Sequence, residues 1–368
     1  MSILLSTFYF FYFSIVGVYI IFLPKVLSGI GYSASEIGVI FATAPMVRFL
    51  LPFAFMKGLK LNSKIFNIAL LFMLISSISF YFTNSDFILL LISNIGLGIG
   101  LSVILPYIEV IALQEIGKQS YGKVRLFGSI GFILVALVLV KFLTSADVAF
   151  LFLMSLAFFT TLVAFSIVKF SHHIQSKEED IPTNDIDILR DWQLWLGLTL
   201  MQVSFGAFYN FFTIYETNFG VSLDMTIYLW SFGVLVEIAM LFFQGKLLSK
   251  NLLFILQLSL VFTALRWFLV YLYPQNIAIL FFSQSLHAFS FALFHSTAIV
   301  YLFGLYKHRS LAQQFFLGIT YGFGGFIGAL IAGYIYEHIP EYLFLSSSVL
   351  ALSSLYFITL WKKSCKMS

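Results

Sequence analysis

Apolar runs of about 18 residues or more, each long enough to cross the roughly 30 Å hydrocarbon core of a bilayer, recur from one end of this chain to the other. They leave little room for a soluble fold. Only 10% of the 368 residues are charged, where soluble domains approach about a quarter. The pattern predicts an all-α polytopic membrane protein. Twelve transmembrane helices are expected, at 4–26, 35–56, 65–82, 87–112, 124–143, 148–168, 192–217, 224–245, 251–272, 277–303, 312–336 and 341–361.

Lysine and arginine set the orientation, because cytoplasmic loops carry them in excess. With the N-terminus inside, only Lys25 and Lys141 of the 20 basic residues fall outside, and Arg48 and Arg266 lie within spans. The other 16 lie on the inner side, so both termini are expected to be cytoplasmic. The net charge of +4 is this bias and no footprint of nucleic acid. The opening lacks a basic n-region, and its apolar run is too long for a cleavable signal. The single cysteine, Cys365, falls in the inner tail, which predicts no internal disulfide. The 46 phenylalanines read as lipid-facing apolar residues.

The longest polar segment, "KFSHHIQSKEEDIPTNDIDILRD" at 169–191, reads as a cytoplasmic linker in which His172 and His173 are solvated. It divides the chain into an N-terminal six-helix half (1–168) and a C-terminal half with a short tail (192–368). The halves read as repeats. Gly17, Gly31 and Ser33 precede Gly206, Gly220 and Ser222 by 189 residues, and the same offset carries Arg48 onto Glu237. Two parallel six-helix halves are a transporter plan, with substrate bound near mid-membrane. Ser33 and Glu36 form a predicted capping box. The pairs Gly96/Gly100 and Gly324/Gly328 have the GxxxG spacing of close helix packing. "GLGIG" at 96–100 lies inside a span without a following lysine, so it is no phosphate loop.

Glu237 sits in the apolar run "YLWSFGVLVEIAMLFFQGKL", residues 228–247. Each charge at a span centre costs about 2.5–3.5 kcal/mol on insertion scales. Intramembrane ionisable residues therefore mark function and need named partners. The set comprises Arg48, Glu237, Arg266, His287 and His295, with Glu109 nearer the inner face. At about 1.5 Å per residue, Glu237 lies roughly 20 Å from the outer end of its helix, Arg266 roughly 9 Å and His287 roughly 15 Å. The histidine is thus staggered between the other two, and a chain bridged by His287, water or substrate is easier than a direct Glu237–Arg266 pair. A fixed ion pair that only locks the C-terminal half is the bland alternative. For His295 a helix–helix hydrogen bond is the simpler reading. Desolvation disfavours an ionised carboxylate and a nearby guanidinium favours it, which is the balance a proton carrier needs.

These residues resemble a known family. "FYFSIVGVYIIFLPKVL" at 11–27 resembles the first helix of lactose permease-type proton symporters of the major facilitator superfamily. "PYIEV" at 106–110 and "YGKVRLFGSIGF" at 121–132 resemble their helix 4–5 signature, and "LRW" at 265–267 and "LHAF" at 286–289 their helix 9 arginine and helix 10 histidine. "YGKVRLFGS", "YLWSFGVLVE", "VRF" around Arg48 and the second histidine, His295, are most similar to the bacterial 3-phenylpropionate permease branch. The resemblance implies the major facilitator fold. It implies substrate-binding roles for Glu109 and Arg125, with Arg48 a further cation. It implies proton coupling by Glu237, Arg266 and His287, with His295 a further candidate. Three departures stand out, one being that Glu237, with "FF" at 242–243 as the anchor, stands about a turn nearer the inner face than the family's helix 8 glutamate. The carboxylate that follows the helix 10 histidine by three residues in lactose permease is Ser290 here, and the loop "KGLKLNSK" at 57–64 lacks the family's acid.

The resulting expectation is a proton symporter for a small organic solute, such as 3-phenylpropionate or another carboxylate, working by alternating access in a bacterial inner membrane. Its partners are the substrate, the proton and the lipid bilayer. No cofactor, metal, catalytic residue or nucleic acid is implied, and a monomer is expected. A sugar or nucleoside symporter of the same fold is the alternative. A membrane-embedded transferase is a distant one, since no histidine is followed closely by aspartate and the outer loops are short. A non-transporting sensor on the same fold is a third reading.

Overall fold

The computed structural model describes residues 1–57, 59, 61–171 and 186–367. Most of the linker, with His172 and His173, lies outside the described residues, as do Lys60 and the side chain of Cys365. The described residues are mostly helical, joined by short turns, and contain no strand. Among the described residues eleven helices are long and apolar enough to cross a membrane. They are α1 Ser2–Gly29, α2 Ala34–Ala54, α3 Ser63–Thr83, α4 Phe87–Gly117, α5 Ser120–Phe142, α6 Ala146–Phe170, α9 Leu223–Phe243, α10 Leu252–Leu272, α11 Ile277–Leu305, α12 Leu311–His338 and α13 Pro340–Ser364. The chain clusters into two compact units that meet in sequence at Glu178 and Glu179.

The expected span at 192–217 is not one continuous helix. It is broken at Phe205 into α7, Trp192–Ser204, and α8, Gly206–Asn218, each of 13 residues. The Phe205 amide donates to the Gln202 carbonyl, a tightened three-residue turn. The break sits where two backbones touch. A Cβ at Gly206 would collide with the carbonyl of Gly328 on α12, and one at Gly328 would lie 2.8 Å from the Val203 carbonyl. Gly206→Ala should therefore destabilise the protein by about 1–3 kcal/mol, the usual range for overpacking. The measurement is the thermal unfolding midpoint of the purified protein, with Gly245→Ala as control, since Gly245 has open space around it.

Helix starts follow from local chemistry. The side chains of Asn62, Asp86, Ser222, Asn251 and Asn276 each accept the amide three residues on, satisfying a donor the first turn leaves free. Ser33 and Glu36 form the reciprocal capping box, at 2.9 and 3.3 Å. Two helix ends use glycine. Gly31 and Gly220 take φ of 108° and 91°, values glycine reaches without a Cβ penalty. Each closes its helix with the same bond pair. Gly31 and Tyr32 donate to Ser28 and Leu27, and Gly220 and Val221 donate to Thr217 and Glu216, all within 3.0–3.2 Å. The 189-residue offset in sequence is thus matched by an identical local turn.

Three spans contain π-helical turns, at Val18–Phe22 in α1, Ala288–Leu293 in α11 and Phe316–Phe323 in α12. Such turns rotate the side chains that follow and are frequent at functional sites. In the C-terminal unit α10 packs on α13, α13 on α7, α12 on α8, and α9 on the π-helical turn of α11. Those contacts bring the charged faces of α9, α10 and α11 together.

Candidate functional site

In the N-terminal unit the backbone turns at Gly117, φ 69° and ψ 165°. Glu109 lies eight residues before that turn and Arg125 eight after it, so the α4–α5 hairpin returns one to the other. Arg125 Nε stands 3.5 Å from Glu109 Oε1, and both side chains are about a third exposed at 32%. The Tyr121 hydroxyl donates to the same carboxylate oxygen at 3.0 Å. The guanidinium lies 4.0 Å from the Phe13 ring centre and 5.3 Å from that of Tyr9, a cation–π placement. The carboxylate and the arginine are thus preorganised, with their open sides still reachable. Arg48, on α2, is exposed and forms no ion pair among the described residues.

In the C-terminal unit Arg266 is a fully buried cation, at 0% exposure. Its guanidinium is held on four sides. Nη2 donates to Gln284 Oε1 at 2.7 Å and Nη1 to Ser290 Oγ at 3.1 Å. Nη1 also lies 2.7 Å from His287 Nδ1. Phe208 lies beneath, 4.3 Å from ring centre to guanidinium carbon. The far nitrogen of His287, Nε2, stands 3.5 Å from Glu237 Oε2. The three residues form a line, Arg266–His287–Glu237, with the histidine in the middle. Glu237 is its accessible end, 20% exposed against 7% for His287.

The line fixes a tautomer. A guanidinium carries five N–H donors and no acceptor. His287 Nδ1 must therefore accept from Arg266, and the imidazole proton sits on Nε2, aimed at Glu237. A doubly protonated ring would turn an N–H against the guanidinium. His287 is thus neutral while this bond stands, and the charge of the line depends on Glu237 alone. With the carboxylate ionised the line is neutral; with it protonated the line carries one positive charge.

Ser290, three residues after His287, accepts from Arg266 through its hydroxyl oxygen. The sequence singles out Ser290 only for the carboxylate it replaces, and nothing in it singles out Gln284. They lie three residues either side of His287, and that common spacing was the signal available. The second histidine, His295, makes a 2.7 Å hydrogen bond to the Tyr321 hydroxyl on α12. His287 and Phe291 stack at 5.3 Å and 8°, and Phe291 and His295 at 6.4 Å and 24°. His295 therefore joins the same face of α11 at one remove from Glu237. Among the described residues no cluster of three or more His, Cys, Asp or Glu could hold a metal ion.

Comparison with known proteins places this architecture. The family model described as "MFS_1 like family" matches residues 2–346. A relative from Escherichia coli (strain K12), "Probable 3-phenylpropionic acid transporter", is 24% identical over 367 residues, covering 95% of this chain and 94% of its own. Among solved structures, that of nucleoside transporter NupG superposes with a TM-score of 0.79 at 17% identity, covering 98% of this chain and 99% of that one. The POT family transporter PepTSo superposes with a TM-score of 0.79 at 11% identity, covering 99% and 98%. The chain belongs to the MFS_1 like family and is a multi-pass membrane transporter of the major facilitator type, not an enzyme.

Proposed function

We propose that the protein is a proton symporter for a small organic anion, with 3-phenylpropionate as the first substrate to test. The observation that carries this reading is the Arg266–His287–Glu237 line. Protonating Glu237 leaves a buried positive charge, and an uncompensated charge in a low-dielectric interior is unfavourable by several kcal/mol. A substrate carboxylate neutralises it. Conversely, an anion arriving at the ionised line leaves a net negative charge that proton uptake by Glu237 removes. Proton and anion therefore favour each other's binding, and the coupling is reciprocal. Neutral sugars and nucleosides would gain nothing from that charge.

Other residues support the same assignment. Arg266 Nε has no hydrogen-bond partner among the described residues, so it is a donor a substrate oxygen could take up once the site opens. In the N-terminal unit Glu109 and Arg125 are the substrate-binding pair, with Arg48 a further cation. The rings of Tyr9 and Phe13 offer an apolar surface beside the arginine, which suits an aromatic acid. His295 extends the polar face of α11 rather than carrying the proton. Movement of substrate is by alternating access between two six-helix halves. The protein works as a monomer in a bacterial inner membrane, with both termini cytoplasmic, the side its lysines and arginines favour.

In proteoliposomes an inward proton gradient should accumulate 3-phenylpropionate above its equilibrium level, and a protonophore should abolish the accumulation. Accumulation of a sugar or nucleoside in place of the acid would overturn the anion assignment.

A further inference from the structure

One acidic side chain of the C-terminal unit has no place in this scheme. Glu216, in the last turn of α8, is 0% exposed. Neither of its carboxyl oxygens has a hydrogen-bond partner among the described residues. Its own backbone carbonyl accepts from Val221 in the glycine turn that ends the helix. A carboxylate there would also face the negative end of the helix dipole.

The groups on the elements packed against α8 do not relieve it. α7 carries no ionisable side chain. On α12, Tyr334, Glu337 and His338 are exposed, while Tyr336 takes up the Asn218 amide and stacks on Phe211. On α9, Asp224 lies in the first turn, Tyr228 is exposed and Glu237 belongs to the line described above. On α13, Glu341, Tyr342 and Tyr356 are exposed, Lys362 binds Gln257, and Lys363 lies at the far end of the helix. Among the described residues no cation pairs with Glu216. An isolated buried carboxylate without hydrogen bonds is too unfavourable to persist, and such a group takes a proton instead.

The internal repeat shows that packing does not require an acid here. The position 189 residues earlier is Leu27. It ends α1 through the same turn, accepts from Tyr32 as Glu216 accepts from Val221, and is likewise 0% exposed. A leucine fills the equivalent place in one half, and a glutamate fills it in the other.

Distance separates Glu216 from Glu237. Glu216 stands two residues before the end of α8 and Glu237 fourteen after the start of α9, roughly 3 and 21 Å from their shared turn at about 1.5 Å per residue. The two carboxyls lie at different depths and do not share a proton. A shallow hollow lined by Phe219, Val221, Ser222, Met225 and Gln275 opens beside that turn, three residues from Glu216. The hollow brings water to the turn that closes α8, though Glu216 itself does not line it.

We infer that Glu216 is a second proton-binding site of the C-terminal unit, held as a neutral carboxylic acid and releasing its proton to water during transport. The step is a transfer from the carboxyl O–H to a water molecule, leaving the carboxylate. It rests on the proton-coupled reading only in assigning the exchange to transport; the protonated acid stands on the burial alone. The test is pH-difference infrared spectroscopy on the full-length protein in lipid nanodiscs, comparing wild type with Glu216→Gln and Glu237→Gln. The expected result is a carboxylic-acid C=O band that bleaches as pH rises, missing in Glu216→Gln and retained in Glu237→Gln. If Glu216→Gln does not fold, Glu216→Leu, which copies Leu27, must remove the same band. A spectrum in which the Glu216 substitution removes no carboxylic-acid band overturns the assignment. So does a Glu216 band that never bleaches while the protein stays folded, since that acid is locked. The measurement needs no substrate, so it fails or succeeds independently of 3-phenylpropionate uptake.

Discussion

Arg266→Lys should fold poorly and transport weakly, although the charge is kept. The guanidinium reaches Gln284, His287 and Ser290 in one plane, at 2.7, 2.7 and 3.1 Å. A lysine ammonium is a point charge on a flexible stem and cannot reproduce that fork. It would also lose the flat stacking on Phe208. Each buried acceptor left without a donor costs about 1–3 kcal/mol, and two lost partners would place the effect at about 2–6 kcal/mol. Since about 1.4 kcal/mol is a factor of ten in an equilibrium constant, uptake of 3-phenylpropionate should fall by at least about tenfold. The unfolding midpoint should fall with it. A lysine variant that transports and melts like wild type would mean that the arginine contributes only its charge.

Glu237→Gln should have the opposite profile: a stable protein with a specific lesion. The glutamine carbonyl can still accept from His287 Nε2, so the line keeps its shape. It can no longer release or take up a proton, and it holds the charge state of the protonated site permanently. Uphill accumulation of 3-phenylpropionate driven by a proton gradient should drop to the level seen with a protonophore. Exchange of labelled for unlabelled substrate, which needs no net proton movement, should continue. Uphill uptake that survives in this variant would remove Glu237 from the coupling and leave Glu216 as the acid to examine.

Much of this site was legible before any coordinates. The stagger of Glu237, His287 and Arg266 follows from helix rise and the antiparallel order of three spans, and it already set the histidine between the other two. Glu109 and Arg125 were found by motif resemblance, and their geometry has a simple cause in the turn at Gly117. The uncharged partners of Arg266 were not legible as such. Gln284 and Ser290 are uncharged, cheap to insert and common in spans, so only their three-residue spacing around His287 distinguishes them. Glu216 was missed for a different reason. Near the end of a hydrophobic run an acid reads as an interfacial residue, and only tertiary packing shows it fully buried. The break at Phe205 depends on α12 pressing Gly328 against Gly206, a contact from more than a hundred residues away. Helices α4 and α5 run past the predicted span limits because hydropathy marks the membrane core and not the ends of hydrogen-bonded helix.

Binding calorimetry in buffers of different ionisation enthalpy tests the central claim most directly, because it counts the protons taken up as the anion binds. Coupling through the Arg266–His287–Glu237 line predicts that wild type takes up a proton with each 3-phenylpropionate bound near neutral pH, and that Glu237→Gln binds the same anion with that uptake gone. Equal proton uptake in the two proteins, or none in wild type, would contradict it.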